Sequence, residues 1–164
     1  MKRRIAVLLM LALIPWSQLH AQSQTVTTTF KVTTRVDAVC AVTATDLNFG
    51  TYSAQGAPLQ GTTQVAATCT PGTTYNIGLN AGSTTGATIN QRKMAGTPAT
   101  NTLNYQLYTD SAHSIIWGNT AGTDTVTGAG TGLAVNHAVY GQVPAAQLVP
   151  AGNYQDVITV SIFY

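Results

Sequence analysis

Few side chains in this sequence are equipped for chemistry. Cys40 and Cys69 are the only cysteines, and Asp37, Asp46, Asp110, Asp124 and Asp156 are the only acidic residues of the 164. His20 falls in the apolar leader described below, which leaves His113 and His137 as the imidazoles of the exported chain. A serine triad needs a histidine, a carboxylate and a Gly-x-Ser-x-Gly elbow, and the elbow is missing. Glycoside hydrolysis needs a carboxylate pair, yet Asp46, Asp110 and Asp124 stand beside turn signals, where aspartate bonds local backbone. Zinc needs clustered sulfur and imidazole ligands, and the two cysteines are not in a Cys-x-x-Cys pair. What the cysteines do support is one disulfide, Cys40 to Cys69, with a single possible connectivity in an oxidising compartment. The residues therefore predict no enzyme, no catalytic residue, no metal and no cofactor. Tyr52, Tyr108, Trp117 and Tyr140 offer rings that could stack on sugars, which keeps a monomeric adhesin or carbohydrate-binding module as the alternative function, although such rings more often pack inside a fold.

The positions of these residues depend on what is exported and how it folds. Lys2-Arg3-Arg4, the apolar stretch Ile5 to Ile14 and the small residue closing Leu19-His20-Ala21 predict a secretory signal peptide over residues 1–21. Its apolar run of about ten residues falls short of the roughly 20 that span a bilayer. The protein is thus expected to be exported and not membrane-embedded. Removing the leader takes three of seven basic residues, so 7 − 3 = 4 Lys and Arg face 5 Asp, a net charge of −1. Lys31, Arg35, Arg92 and Lys93 are too scattered to track a phosphate backbone, which excludes nucleic acid. The remaining 164 − 21 = 143 residues fit one domain. The absence of Glu and the abundance of Thr, Ala and Gly favour strands and turns.

From Val26 the alternation is unusually long, with Val26, Thr28, Phe30, Val32, Thr34, Val36, Ala38, Cys40, Val42 and Ala44 on one face. Period two predicts extended strand. About 19 residues is roughly twice the usual upper length, so the stretch is expected to serve two pairings divided near Arg35 to Ala38. Further strands are predicted at Leu47 to Tyr52, Thr63 to Thr70, Thr74 to Asn80, Ala87 to Met94, Thr102 to Tyr108, Ser114 to Trp117, Leu133 to Val143 and Tyr154 to Tyr164. The glycine-rich Gly128 to Gly132 is read as a flexible hairpin loop. This spacing predicts a β-sandwich, with a barrel as the alternative. Ile158, Val160, Ile162 and Tyr164 alternate to the final residue, so one end has a surplus strand while the other lacks a neighbour. A sandwich missing a strand exposes an unpaired edge and core side chains. An extended segment from another molecule can supply both ladder and side chains, and Val26, Thr28, Phe30 and Val32 have the even spacing a donor needs. Such a contact is heterologous and generates an open filament.

The chain also resembles the spore coat U domain family, which includes archaic (Csu-type) chaperone-usher pilus subunits. The resemblance covers residues 25–164 and is carried by Phe30-Lys31-Val32, Cys40-Ala41-Val42, Leu47-Asn48-Phe49-Gly50-Thr51-Tyr52 and Cys69-Thr70-Pro71-Gly72. Later matches are Leu103 to Tyr108, Trp117-Gly118, Val139 to Pro144 and Gly152 to Val157. It implies an incomplete immunoglobulin-like β-sandwich of pilin type, over residues 37–164, completed by donor-strand addition. It further implies a donor segment at 22–36, a Cys40–Cys69 bridge, and Ile158, Val160, Ile162 and Tyr164 as the strand that a chaperone or neighbour pairs with. The implied partners are a periplasmic chaperone, an outer-membrane usher and sister subunits. The implied place is a pilus or coat at the cell surface, with a part in adhesion and biofilm formation.

Overall fold

The computed structural model describes residues 23–164, so the expected signal segment at 1–21 lies outside the described residues. The chain divides into two units at Arg35 and Val36. In the first, residues 23–35 form neither helix nor strand and are exposed throughout. The second holds eight strands: β1 (Cys40–Ala44), β2 (Leu59–Cys69), β3 (Thr74–Leu79), β4 (Arg92–Ala95), β5 (Thr102–Tyr108), β6 (Val126–Ala129), β7 (Ala134–Val143) and β8 (Val160–Phe163). No helix is present among the described residues. Hydrogen bonding orders the strands as a five-stranded sheet, β1-β2-β7-β5-β4, and a three-stranded sheet, β6-β3-β8. The fold is an incomplete immunoglobulin-like sandwich rather than a closed barrel.

The alternation in the sequence explains the core. Val65, Ala67 and Cys69 on β2, Val139 and Val143 on β7, and Leu103, Tyr105 and Leu107 on β5 point inward, against Tyr75, Ile77 and Leu79 on β3. The Pro71-Gly72 turn joins β2 to β3 and so carries the chain from one sheet to the other.

Two strand expectations and one loop expectation are corrected by the structure, each for a packing reason. Leu47 to Tyr52 is not a strand. Its apolar side chains, Leu47 and Phe49, instead cover the place where Gly61 of β2 and Gly141 of β7 stand directly opposite each other, and a Cβ on either glycine would run into them. Five strands present more inner face than three can cover, and this segment covers the remainder, with Phe49 edge-on to Tyr105 at 6.2 Å. The glycine-rich run is not wholly a loop either: Gly128 and Ala129 belong to β6, where the ring of Tyr75 occupies the space a side chain at 128 would need. Ser114 to Trp117 forms only an isolated bridge, Tyr108 to Ile116, because Trp117 turns fully into the core. Boundaries also shift. β4 begins only at Arg92, and β8 is confined to Val160–Phe163, which leaves Ile158 and Tyr164 outside the strand.

One charged side chain lies inside the sandwich. Arg92 is 0% exposed. Its Nε donates to the Asn80 carbonyl at 2.9 Å, while Nη2 donates to the carbonyls of Leu79 (2.9 Å) and Trp117 (2.7 Å). Nη1 donates to Gln106 Oε1 at 2.6 Å. These acceptors come from both sheets and the loop between them, so one side chain ties β4, β3 and β5 together. Burial disfavours its charge, and Tyr105, Asp156 and Asp124 offset that in part. Asp156 is itself anchored by the Tyr105 hydroxyl at 2.7 Å and by the Ser83 amide at 2.8 Å. Arg92→Met keeps the apolar stem but takes the guanidinium away from the carbonyls of Leu79, Asn80 and Trp117, while Gln106 Oε1 keeps the Leu107 amide at 2.9 Å; each buried acceptor left unpaired costs about 1–3 kcal/mol. The substitution is expected to destabilise the full chain by about 3 kcal/mol or more, read as a lowered denaturation midpoint with the slope unchanged.

Candidate functional site

Four strands are sheet edges among the described residues, β1, β4, β6 and β8, and the candidate site is formed by β1 and β8. β1 has β2 on one side only, and β8 has β3 on one side only. The amides of Thr70 and Thr45 donate to the carbonyls of Val39 (2.9 Å) and Gln64 (3.1 Å), which sets the ladder between β1 and β2. Antiparallel backbone groups alternate in direction. Ala41 and Thr43 therefore bond toward β2, and the N–H and C=O groups of Cys40, Val42 and Ala44 face away from it. On β8 the Asn80 amide donates to the Thr159 carbonyl at 3.1 Å, and the Thr159 amide donates to Asn80 Oδ1 at 2.9 Å. By the same alternation the backbone groups of Val160 and Ile162 face the open side.

The two edges are neighbours. Cα atoms of β1 and β8 come within 8 Å of each other without forming a ladder, whereas paired strands lie about 4.8 Å apart. Cys40, Val42, Ile158, Val160 and Ile162 all pack partly buried against the core. Each open edge thus combines outward backbone donors and acceptors with side chains turned toward the apolar interior. Cys40 is bonded to Cys69, S–S 2.00 Å, which fastens β1 to β2 at the upper end of its edge.

The segment expected to be a donor is exposed. Val26, Phe30 and Val32 are 94%, 87% and 81% exposed, and Thr28 is exposed between them. Apolar side chains left in water at even spacing are a latent strand face.

The family model for the Spore Coat Protein U domain matches residues 26–161. The chain belongs to this family. Protein U of Myxococcus xanthus is 37% identical over 160 residues, a match that covers 88% of each protein. Among solved structures, the Spore Coat Protein U fold of this chain is similar to one from the pre-assembly complex between a chaperone and the tip adhesion subunit of archaic chaperone-usher Csu pili of Acinetobacter baumannii. The TM-score is 0.57 at 27% identity, over 79% of this chain and 40% of that one. Both the fold and the family are those of structural pilus or coat subunits, not of an enzyme family. The family match includes the exposed segment from Val26 onward as well as the sandwich.

The other residues singled out for chemistry are placed in structural roles. Asp110 accepts from the amides of Ser114 (3.0 Å) and Ile115 (2.8 Å), and Asp124 accepts from the Thr120 amide at 2.6 Å. The backbone bond from Ile115 holds the Asp110 carboxyl below the usual carboxylate range. Trp117 is 0% exposed, and its Nε1 donates to the Ile77 carbonyl at 2.7 Å, so it is no sugar platform. The Tyr52 hydroxyl accepts from the Gln147 amide at 2.7 Å. No helix among the described residues is long and apolar enough to cross a membrane.

His137 faces inward from β7 with its Nε2 3.0 Å from the Tyr75 hydroxyl, a contact between the two sheets. Burial pushes its pKa below the ordinary 6.5. The unfolded chain then takes up a proton before the folded one, so stability is full above pH 6.5 and falls as pH drops below it. Thermal unfolding followed between pH 7.5 and 5 is expected to show this loss, and His137→Gln is expected to flatten it. A slope unchanged in the variant would assign the loss to another group.

Proposed function

We propose that this protein is a structural subunit that polymerises into a surface pilus or coat fibre by donor-strand exchange. The open β8 edge, flanked by β1 and floored by core side chains, carries the reading. In it, the segment around Val26 to Val36 of one molecule lies along the Val160 and Ile162 backbone of the next. Val26, Phe30 and Val32 enter the interior, and Thr28 occupies an intervening position on the same face. Burying those three apolar side chains would contribute about 5–9 kcal/mol per contact. Because donor and acceptor are different surfaces, each addition leaves a new open end, and the product is a filament.

The cleft between β1 and β8 is narrower than the roughly 9.6 Å that a strand paired on both sides requires. Accommodating the donor therefore involves parting the two edges, which are held by different sheets and joined by no ladder. An exposed edge and apolar cleft also require cover before assembly. A periplasmic chaperone that lends a strand to Ile158, Val160, Ile162 and Tyr164 supplies that cover, and an outer-membrane usher then exchanges it for a sister subunit. The tip adhesion subunit in the structural neighbour was captured with its chaperone, which supports this route. Export through residues 1–21, residence at the cell surface, a part in adhesion and biofilm formation, and the lack of catalytic function all belong to this reading.

Deletion of Gln22 to Val32 from the exported chain is expected to abolish fibres while leaving a chaperone-bound subunit detectable. Material sheared from cells bearing the intact protein should run as a ladder when unheated and collapse to monomer after boiling. Fibres of normal length from the deletion variant would reject donor-strand exchange. Phe30→Ala, which removes the largest donor side chain, is expected to lower the temperature at which the ladder collapses.

A further inference from the structure

The end of the five-stranded sheet remote from β1 carries a second feature. In the order β1-β2-β7-β5-β4, the strands β5 and β4 lie farthest from β1. A depression there is lined by Asn90, Gln91, Asn104, Tyr108 and Gln147, among others. Tyr108 of β5 stands opposite Tyr140 of β7 in the ladder, and their inward neighbours Leu107 and Gly141 leave this pair on the outer face. The His113 ring sits edge-on to both, at 5.2 Å from Tyr108 and 6.4 Å from Tyr140. The turn that presents it is clamped by Asp110 through the amides of Ser114 and Ile115.

Two kinds of carboxamide line this depression. Gln147 is locked, because its Oε1 accepts from the Asn104 amide at 2.8 Å and its Nε2 donates to the Asn104 carbonyl at 2.9 Å, as a neighbouring strand would. Asn90 and Gln91 are exposed, and the side-chain amides of Asn90, Gln91 and Asn104 make no hydrogen bond among the described residues. The wall is thus rigid, with several unengaged donor and acceptor pairs beside a tyrosine ring. None of the residues lining the depression is acidic or basic. Phosphate, sulfate and cationic ligands would find no counter-charge in the lining, whereas a ligand with many hydroxyls on an uncharged ring would match both amides and ring.

We propose that this depression, with Asn90, Gln91, Asn104 and Tyr108, binds neutral glycan chains. The site does not depend on donor-strand exchange, since it lies on β5 and the turn before β4, away from β1 and β8. In a fibre, copies of a weak site would be repeated along the polymer, and binding to an extended polysaccharide would gain from their number.

The test uses the exported full chain, as monomer or fibre, with neutral hexasaccharides of glucose, xylose and N-acetylglucosamine in saturation-transfer NMR and calorimetry. At least one is expected to bind with a dissociation constant on the order of 1 mM or tighter, with transfer from tyrosine protons and no weakening as salt is raised. The double substitution Asn90→Ala/Gln91→Ala lies on exposed positions, and it is expected to weaken binding about tenfold or more, a change of about 1.4 kcal/mol, with an unchanged unfolding temperature. Asn104→Ala should act in the same direction. Failure of every neutral hexasaccharide to bind would overturn the proposal, as would undiminished binding by the double variant. Loss of fibre assembly in the double variant without glycan binding by the parent would instead assign the face to sister subunits. Fibre loss on deleting Gln22 to Val32 tests the assembly reading alone, so the two proposals can fail separately.

Discussion

A β-strand cannot be buried with its backbone unpaired, and this constraint organises the molecule. Every inner strand here has neighbours on both sides, whereas the edge strands β1, β4, β6 and β8 have one each, and of these β1 and β8 lie next to each other at the seam between sheets. The backbone of Val160 and Ile162 points into that seam, and so does the backbone of Cys40, Val42 and Ala44. Water can satisfy such groups only while the seam stays wet, yet the side chains of the same residues favour a dry interior. A further strand resolves the conflict, because it satisfies the backbone and excludes water at once. In the proposed assembly that strand belongs to another copy.

An unfinished sandwich needs other ties, and it has them away from the seam. Arg92 collects acceptors from β3, the Trp117 turn and Gln106, while Tyr105 and Asp156 join β5 to the segment before β8. Burial and the hydrogen bond to Asp156 push the Tyr105 hydroxyl far above its ordinary value, so it remains a donor at every relevant pH. Tyr75 and His137 bridge the sheets on the other side of the core. The molecule is cross-linked by polar side chains where it is complete and left open where it is not, which separates the fold's integrity from its capacity to accept a partner.

Much of the architecture was legible from period two alone. β2, β3, β5 and β7 sit where Val65, Ala67, Ile77, Leu79, Leu103, Leu107 and Val139 alternate with polar neighbours, whereas of the long first stretch from Val26 only Cys40–Ala44 is a strand. Period two failed at Leu47 and Phe49, because alternating apolar side chains describe a face and not a ladder, and the face here meets a pair of glycines. It failed again at Gly128, where a missing side chain reflects the Tyr75 ring across the ladder rather than a turn. Val160 and Ile162 alternate in β8 as their parity indicates, while Ile158 and Tyr164 continue that parity beyond the strand. That β8 lies beside β1 was not legible, because adjacency of the two edges is a property of topology. Neither the Arg92 acceptors nor the His137 contact had a local signal, since their partners are brought together only by the closed sandwich.

The facing glycines under Leu47 and Phe49 bear on a hazard common to sheet proteins. An extra strand added to cover that surface would have created another pair of sticky backbone rims, each a template for misjoining. A hydrophobic plug lacking any ladder seals the opening without adding a rim. The inner face of β2 and β7 is covered while the number of sheet edges stays at four.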